Sequence, residues 1–142
     1  MIEKSCGTIP YIIENGIIYY LLIQTKNYGE VGFPKGHVEE GESEIQTATR
    51  ETWEETSIKL LPDKDFRYEF SYYLPNGKQK TVVYFLAKFQ NQIPKRNENF
   101  ESFNYFLLPF AQAYEKLSFE NTRAMLKAAN TFLTKSNTTS FV

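Results

Sequence analysis

Cysteine occurs once in the 142 residues, as Cys6, which excludes an internal disulfide and any multi-cysteine zinc site. Histidine and tryptophan also occur once each, as His37 and Trp53. No apolar run approaches the ~20 residues that span a bilayer, so no membrane partner is expected. The opening MIEKSCGTIP has no basic region followed by an apolar stretch, so no secretory signal is expected either. Net charge is nearly absent. Lys+Arg number 16 against 17 Asp+Glu, a formal charge of −1, which argues against gripping extended nucleic acid through bulk charge. Internal repeats, low-complexity tracts and long linkers are missing, and only 135–140 (KSNTTS) reads as a loose tail. The expectation is one cytoplasmic, monomeric domain over residues 1–142. Its 16.6 kDa is enough to bury roughly 68–70% of the unfolded surface.

Aromatic residues are abundant at 16%, with 12 Phe and 10 Tyr, a content that suits strands and a base-stacking pocket equally. Two β-branched and aromatic runs, Gly7–Ile13 and Ile17–Gln24, flank Asn15-Gly16, the strongest short hairpin signal. Glu44 to about Thr56 predicts a helix with Ser43 as N-cap and with Ile45, Ala48 and Thr52 on one buried face. Phe66–Leu74 and Lys80–Phe89 predict strands joined by a turn at Pro75-Asn76-Gly77. A short strand at Phe103–Leu108 and helices at Phe110–Lys116 and about Asn121–Leu133 complete the chain. This order predicts an α+β protein, a mixed sheet with helices packed against it.

Within 36–58 (GHVEEGESEIQTATRETWEETSI), Glu51, Glu54 and Glu55 stand at i, i+3 and i+4, so three carboxylates share one helix face. Like charges at that spacing repel, and a divalent cation turns repulsion into attraction. Oxygen ligands at this density suit Mg²⁺ or Mn²⁺ rather than zinc. A solvated acidic face is the plain alternative. The wider spacing decides against it: Gly36, five residues, Glu42, seven residues, Arg50-Glu51, two residues, Glu54-Glu55. Six fixed positions at roughly 5–7% usage each make a chance match about one in ten million per register.

That spacing resembles the signature of the Nudix hydrolases. The flanking runs Gly32–Glu39 and Lys80–Ala87 resemble those of the asymmetric diadenosine tetraphosphate hydrolases, which split their substrate into ATP and AMP with a divalent metal. The resemblance implies the Nudix α/β/α sandwich, with Glu51, Glu54, Glu55 and the backbone carbonyl of Lys35 holding Mg²⁺ or Mn²⁺. It makes Glu54 the first choice of general base and Glu101 the second. Glu101, with Glu98 as its competitor, is also the candidate for a further acid from a later loop. Arg50 is expected to steer a glutamate by a two-pronged hydrogen bond, with Glu42 doing similar work at the loop–helix junction. Lys35 and Lys80 are expected phosphate contacts. For His37 the alternatives are phosphate contact and an incidental position, and for Tyr84 they are adenine stacking and core packing. Trp53 is expected to be a packing residue and Cys6 a buried small hydrophobe.

Two positions depart from the family pattern. Thr52 replaces an aliphatic residue, which predicts slightly looser helix packing. Ser57 replaces the glycine that closes the helix in a left-handed turn. Rival activities of the same class are removal of pyrophosphate from an RNA 5′ end or from a nucleoside triphosphate. The rival of another class is a nucleotide sensor without turnover.

Overall fold

In the computed structural model, which describes residues 2–25, 29–95 and 103–139, the strands are β1 (Ile2–Glu14), β2 (Ile17–Thr25), β3 (Val31–Gly32), β4 (Lys35–His37), β5 (Asp63–Tyr73), β6 (Gln79–Lys88) and β7 (Phe103–Pro109). The helices are α1 (Glu44–Thr56), α2 (Phe110–Lys116) and α3 (Glu120–Thr139). Strand β1 organises the sheet. It runs parallel to β6 from Ile2↔Gln79 to Tyr11↔Lys88, and that pairing explains why the strand starts five residues before the expected Gly7. Through the Asn15-Gly16 turn, where both residues have positive φ, β1 returns antiparallel into β2. The two strands stay paired only from Tyr11↔Tyr20 to Glu14↔Ile17. Beyond that point the same edge of β2 pairs with β3 and β1 pairs with β4 at Ser5–Gly7, while the other edge of β2 pairs with β7 from Tyr19↔Pro109 to Thr25↔Phe103. Strand β5 closes the far edge against β6.

Alternation along β6 builds the two faces of the sandwich. Val82, Tyr84 and Leu86 point into the larger core, with Ile9, Tyr20, Leu22, Met125, Leu126 and Ala129, under α2 and α3. Val83 and Phe85 point the other way and meet Cys6 and Ala48 beneath α1. Cys6 is fully buried, as expected, and burial pushes its thiol up to about 11. A third cluster, Leu21, Ile58 and Phe89, supports the C-terminal end of α1.

Ser43 caps α1 as the sequence predicts: its hydroxyl accepts from Gln46 N, and the Gln46 side chain accepts from Ser43 N. Glu44, in the first turn, pins the helix across the sheet through Lys4 on β1 at 2.6 Å and a two-pronged bond from Arg67 on β5 at 2.9 Å. Ser57 adopts the left-handed conformation itself (φ 58°, ψ 21°), so the turn normally made by glycine is kept. Three expectations need correction. Thr52 does not loosen the helix. Its buried hydroxyl meets Thr8 Oγ1 at 2.7 Å and donates to the Ala48 carbonyl at 2.8 Å, so it bonds α1 to β1. Trp53 does not pack in the core, because its position falls beside the buried stripe of Ala48, Thr52 and Thr56; it is 39% exposed. Helix α3 runs to Thr139, into the expected loose tail, since no glycine or proline interrupts 134–139.

Candidate active site

The site forms where β1 and β2 part. Strand β4 and helix α1 meet there so closely that any side chain at Gly36 must displace Glu51: a Cβ on it would lie 2.0 Å from the Glu51 carboxyl carbon. Gly7 on β1 allows the same approach one layer down, since a Cβ there would lie 2.0 Å from the Pro34 carbonyl oxygen.

Arg50 is the hub of the acidic face. Its Nε and Nη2 donate to the two Glu42 oxygens at 2.7 and 3.0 Å. Nη1 reaches Glu51 Oε2 and both Glu54 oxygens at 3.2 Å, and Nη2 also donates to the His37 carbonyl at 3.0 Å. The two-pronged grip therefore falls on Glu42, while Glu51 and Glu54 share one nitrogen. Glu42 earns that grip by its other bonds: it accepts from Glu39 N at 3.0 Å and from the Thr47 hydroxyl at 2.8 Å. The Arg50 hydrogen bonds hold the Glu42 carboxyl down at about 2. Arg50 and Glu42 thus form a brace between the 37–42 loop and α1.

Glu55 is placed differently. It turns away from Arg50 and accepts from Lys35 N at 3.1 Å. Burial, followed by the charge of Glu51, pushes its carboxyl up to about 8. Burial also raises Glu51, against the pull of Arg50. Two crowded carboxylates that resist ionisation are a stored attraction for a cation. Among the described residues no three His, Cys, Asp or Glu side chains converge on one point, because the acids fan around Arg50. The donor set still fits a hard divalent ion, being oxygen only and strained by like charge.

Lys80 is 8% exposed on β6, with its ammonium 3.1 Å from His37 Nε2, and His37 Nε2 lies 3.5 Å from Glu3 Oε1. Burial, then the charge of Lys35, lowers the Lys80 ammonium. Lys80 and His37 thus form a basic pair on the β4 side of the site, with Glu3 as its acidic neighbour.

A cavity of about 500 Å³ adjoins the site, within the range of about 300–1,000 Å³ that holds one small ligand. Lys35 and Glu55 form one part of its wall, and Phe70, Tyr72, Phe103 and Phe119 supply aromatic surface. Thr25, Glu30 and Asn121 add polar groups, and the buried Thr25 hydroxyl has no hydrogen-bond partner among the described residues. Tyr84 also lines the cavity, yet it is 1% exposed, with its ring edge-on to Phe33 and stacked on Phe70. Its contacts are those of core packing. Glu98 and Glu101 lie outside the described residues. Sequence reading missed Phe70, Tyr72, Phe103 and Phe119. The one available signal was on β5, where Phe66, Tyr68, Phe70 and Tyr72 recur at every second position.

A mixed sheet between α1 on one side and α2 with α3 on the other, with the Gly36–Glu55 segment laid against β1 and β4, is the architecture of a Nudix hydrolase. Residues 12–128 match the NUDIX domain, and the chain belongs to that family. Its similarity to particular members is closer still. It is 34% identical to the asymmetrical bis(5′-nucleosyl)-tetraphosphatase of Sus scrofa, over 94% of this chain and 97% of the relative, and 33% identical to that of Rattus norvegicus over the same shares. The crystal structure of a C. elegans Ap4A hydrolase binary complex superposes with a TM-score of 0.85 at 30% identity, covering 94% of this chain and 98% of that one.

Proposed function

We propose that this Nudix pyrophosphohydrolase splits diadenosine tetraphosphate into ATP and AMP. One observation carries the reading: Lys35 and Glu55 belong both to the acidic centre and to the wall of a nucleoside-sized aromatic cavity. A base held against the aromatic wall places its polyphosphate chain at Lys35 and over the carboxylates. The names of the similar tetraphosphatases support the same substrate class.

Glu51, Glu54, Glu55 and the Lys35 carbonyl would hold a divalent cation, Mg²⁺ or Mn²⁺, which when bound neutralises phosphate charge and acidifies water. The remaining chemistry falls to the chain. Lys35, Lys80 and His37 receive phosphate oxygens, and the close approach of the Lys80 ammonium to His37 suits that role. Glu54 accepts the proton of the attacking water, whose oxygen bonds to phosphorus as the bridging P–O bond breaks toward the departing nucleotide. Glu101 is the second choice for that base. Arg50 aims the Glu54 carboxylate through its Nη1 hydrogen bonds, and Glu42 keeps Arg50 in place. Aromatic stacking holds the base, at a typical ~1–3 kcal/mol per stacked base. The enzyme acts as a cytoplasmic monomer on a small nucleotide.

Incubation with diadenosine tetraphosphate and Mg²⁺, with products resolved by ion exchange, tests the reading. ATP and AMP in equal amounts are expected, with turnover lost in Glu55→Gln and on chelation. Two ADP would overturn the cleavage position. Turnover confined to RNA 5′ ends or nucleoside triphosphates would overturn the substrate, and nucleotide binding without turnover would overturn the enzyme reading in favour of a sensor.

A further inference from the structure

Glu55 is held at both ends. Its carboxylate accepts from Lys35 N on β4 at 3.1 Å, and its backbone carbonyl accepts from the Tyr105 hydroxyl on β7 at 2.5 Å. That carbonyl is one of the last four of α1, which have no donor within the helix, and the last turn carries no basic side chain to serve them. The neighbouring carbonyls of Trp53 and Thr56 are met by backbone groups, Ser57 N at 2.8 Å and Lys95 N at 2.9 Å. Among the described residues of this turn, it is Glu55, whose carboxylate faces the cavity, that is met by a side chain from another strand. Packing does not require that hydroxyl. The Tyr105 ring lies against the cluster of Leu21, Ile58 and Phe89, where a phenylalanine ring serves as well. Strand β7 also carries Phe103 in the cavity wall, two residues before Tyr105 and therefore on the same face of the strand.

We propose that Tyr105 is a positioning residue for the reaction: through the Glu55 carbonyl it fixes where the last turn of α1 presents the Glu55 carboxylate between the cation and the cavity. The proposal rests on the reading of Glu55 as a group that holds the ion. A helix end left to fray shifts its last residues, and the carboxylate moves with them. Strand β7 then joins the aromatic wall that touches the base to the acid that faces the phosphates.

Tyr105→Phe removes only the hydroxyl. Tyr20→Phe makes the same chemical change on the opposite side of the sheet, where Tyr20 donates to Asn130 Oδ1 at 2.7 Å. Both variants should lower the thermal midpoint. Mn²⁺ affinity of the nucleotide-free protein, followed by electron paramagnetic resonance of the free ion, should weaken about fivefold in Tyr105→Phe and stay unchanged in Tyr20→Phe. In Tyr105→Phe kcat should fall about tenfold, the low end for a group that orients a metal ligand, with KM within twofold. Wild-type Mn²⁺ affinity and kcat in Tyr105→Phe would overturn the proposal, as would equal weakening in Tyr20→Phe. Glu55→Gln separates the two levels. If it binds Mn²⁺ like wild type, the reading of the site has failed and the proposal with it. If it loses the ion while Tyr105→Phe does not, the positioning role alone has failed.

Discussion

Replacing Gly36 by alanine should uncouple activity from stability. The added Cβ would sit 2.0 Å from both Cδ and Oε2 of Glu51 and 2.4 Å from Oε1. Ordinary contact requires about 3.4 Å, so the Glu51 carboxylate must retreat by about 1.4 Å. The obstructing group is the far end of a flexible side chain, which can turn aside where backbone could not. The displacement gives up its contact with Arg50, an interaction worth about 0.5–1 kcal/mol at this partly solvated position. Against that, Gly36 has no positive φ, so alanine removes unfolded-state freedom and returns about 0.4–1 kcal/mol. Net stability should stay within ~1 kcal/mol, a thermal midpoint within about 4 °C of wild type. Catalysis has no such offset. A misplacement of about 1 Å among reacting groups costs on the order of 10²-fold, about 2.7 kcal/mol of barrier. The assays are calorimetry and steady-state hydrolysis of diadenosine tetraphosphate with saturating Mg²⁺. Gly7→Ala is the contrast: its Cβ would meet the Pro34 carbonyl oxygen at 2.0 Å, which is backbone and cannot step aside, so it should cost about 3 kcal/mol of stability. A Gly36→Ala enzyme with more than a third of wild-type kcat, or one that loses activity only by unfolding, would refute the reasoning.

The Thr8–Thr52 bond predicts a non-additive cycle: Thr52→Val strands the buried Thr8 hydroxyl and should lose about 1–3 kcal/mol in urea denaturation, Thr8→Val should lose less because Thr52 keeps its bond to the Ala48 carbonyl, and the double variant should recover most of the Thr52→Val loss. Ser57→Gly should raise stability by about 1 kcal/mol, seen as a higher thermal midpoint, because Ser57 holds φ 58° with a side chain attached. Arg67 and Lys4 hold the Glu44 carboxyl at about 2, below its ordinary 4.5. Its stabilisation is therefore complete above about pH 4.5 and disappears as pH falls through about 2. Since Arg67 is largely solvated, the effect should be about 1 kcal/mol. Glu44→Gln should accordingly narrow the difference in unfolding free energy between pH 5 and pH 2.5, and an unchanged difference would exclude the linkage.

What could be read from the sequence follows how local each feature is. The α1 segment was legible from its N-cap onward, because Ser43 and the buried stripe act within a few residues of one another. The acidic face was legible because helical spacing alone puts Glu51, Glu54 and Glu55 together. The role of Arg50 was half legible. An i, i+4 contact with Glu54 follows from spacing, but the stronger grip on Glu42 depends on the path of the 37–42 loop, as the bond to the His37 carbonyl shows. Thr52 was misread because a threonine facing a core looks like a packing defect until its partner is known, and Thr8 stands 44 residues away on β1. The cavity was the least legible part. Its aromatic wall is gathered from β5, β7 and the turn before α3, so no single window of sequence contains it. Phe70 also packs against the core, and a phenylalanine that packs reads the same in one dimension as one that lines a cavity. The difference arises only where β1 and β2 part and leave a space that neither sheet face fills. The acids therefore stand together in the sequence, while the cavity is made by a gap between strands.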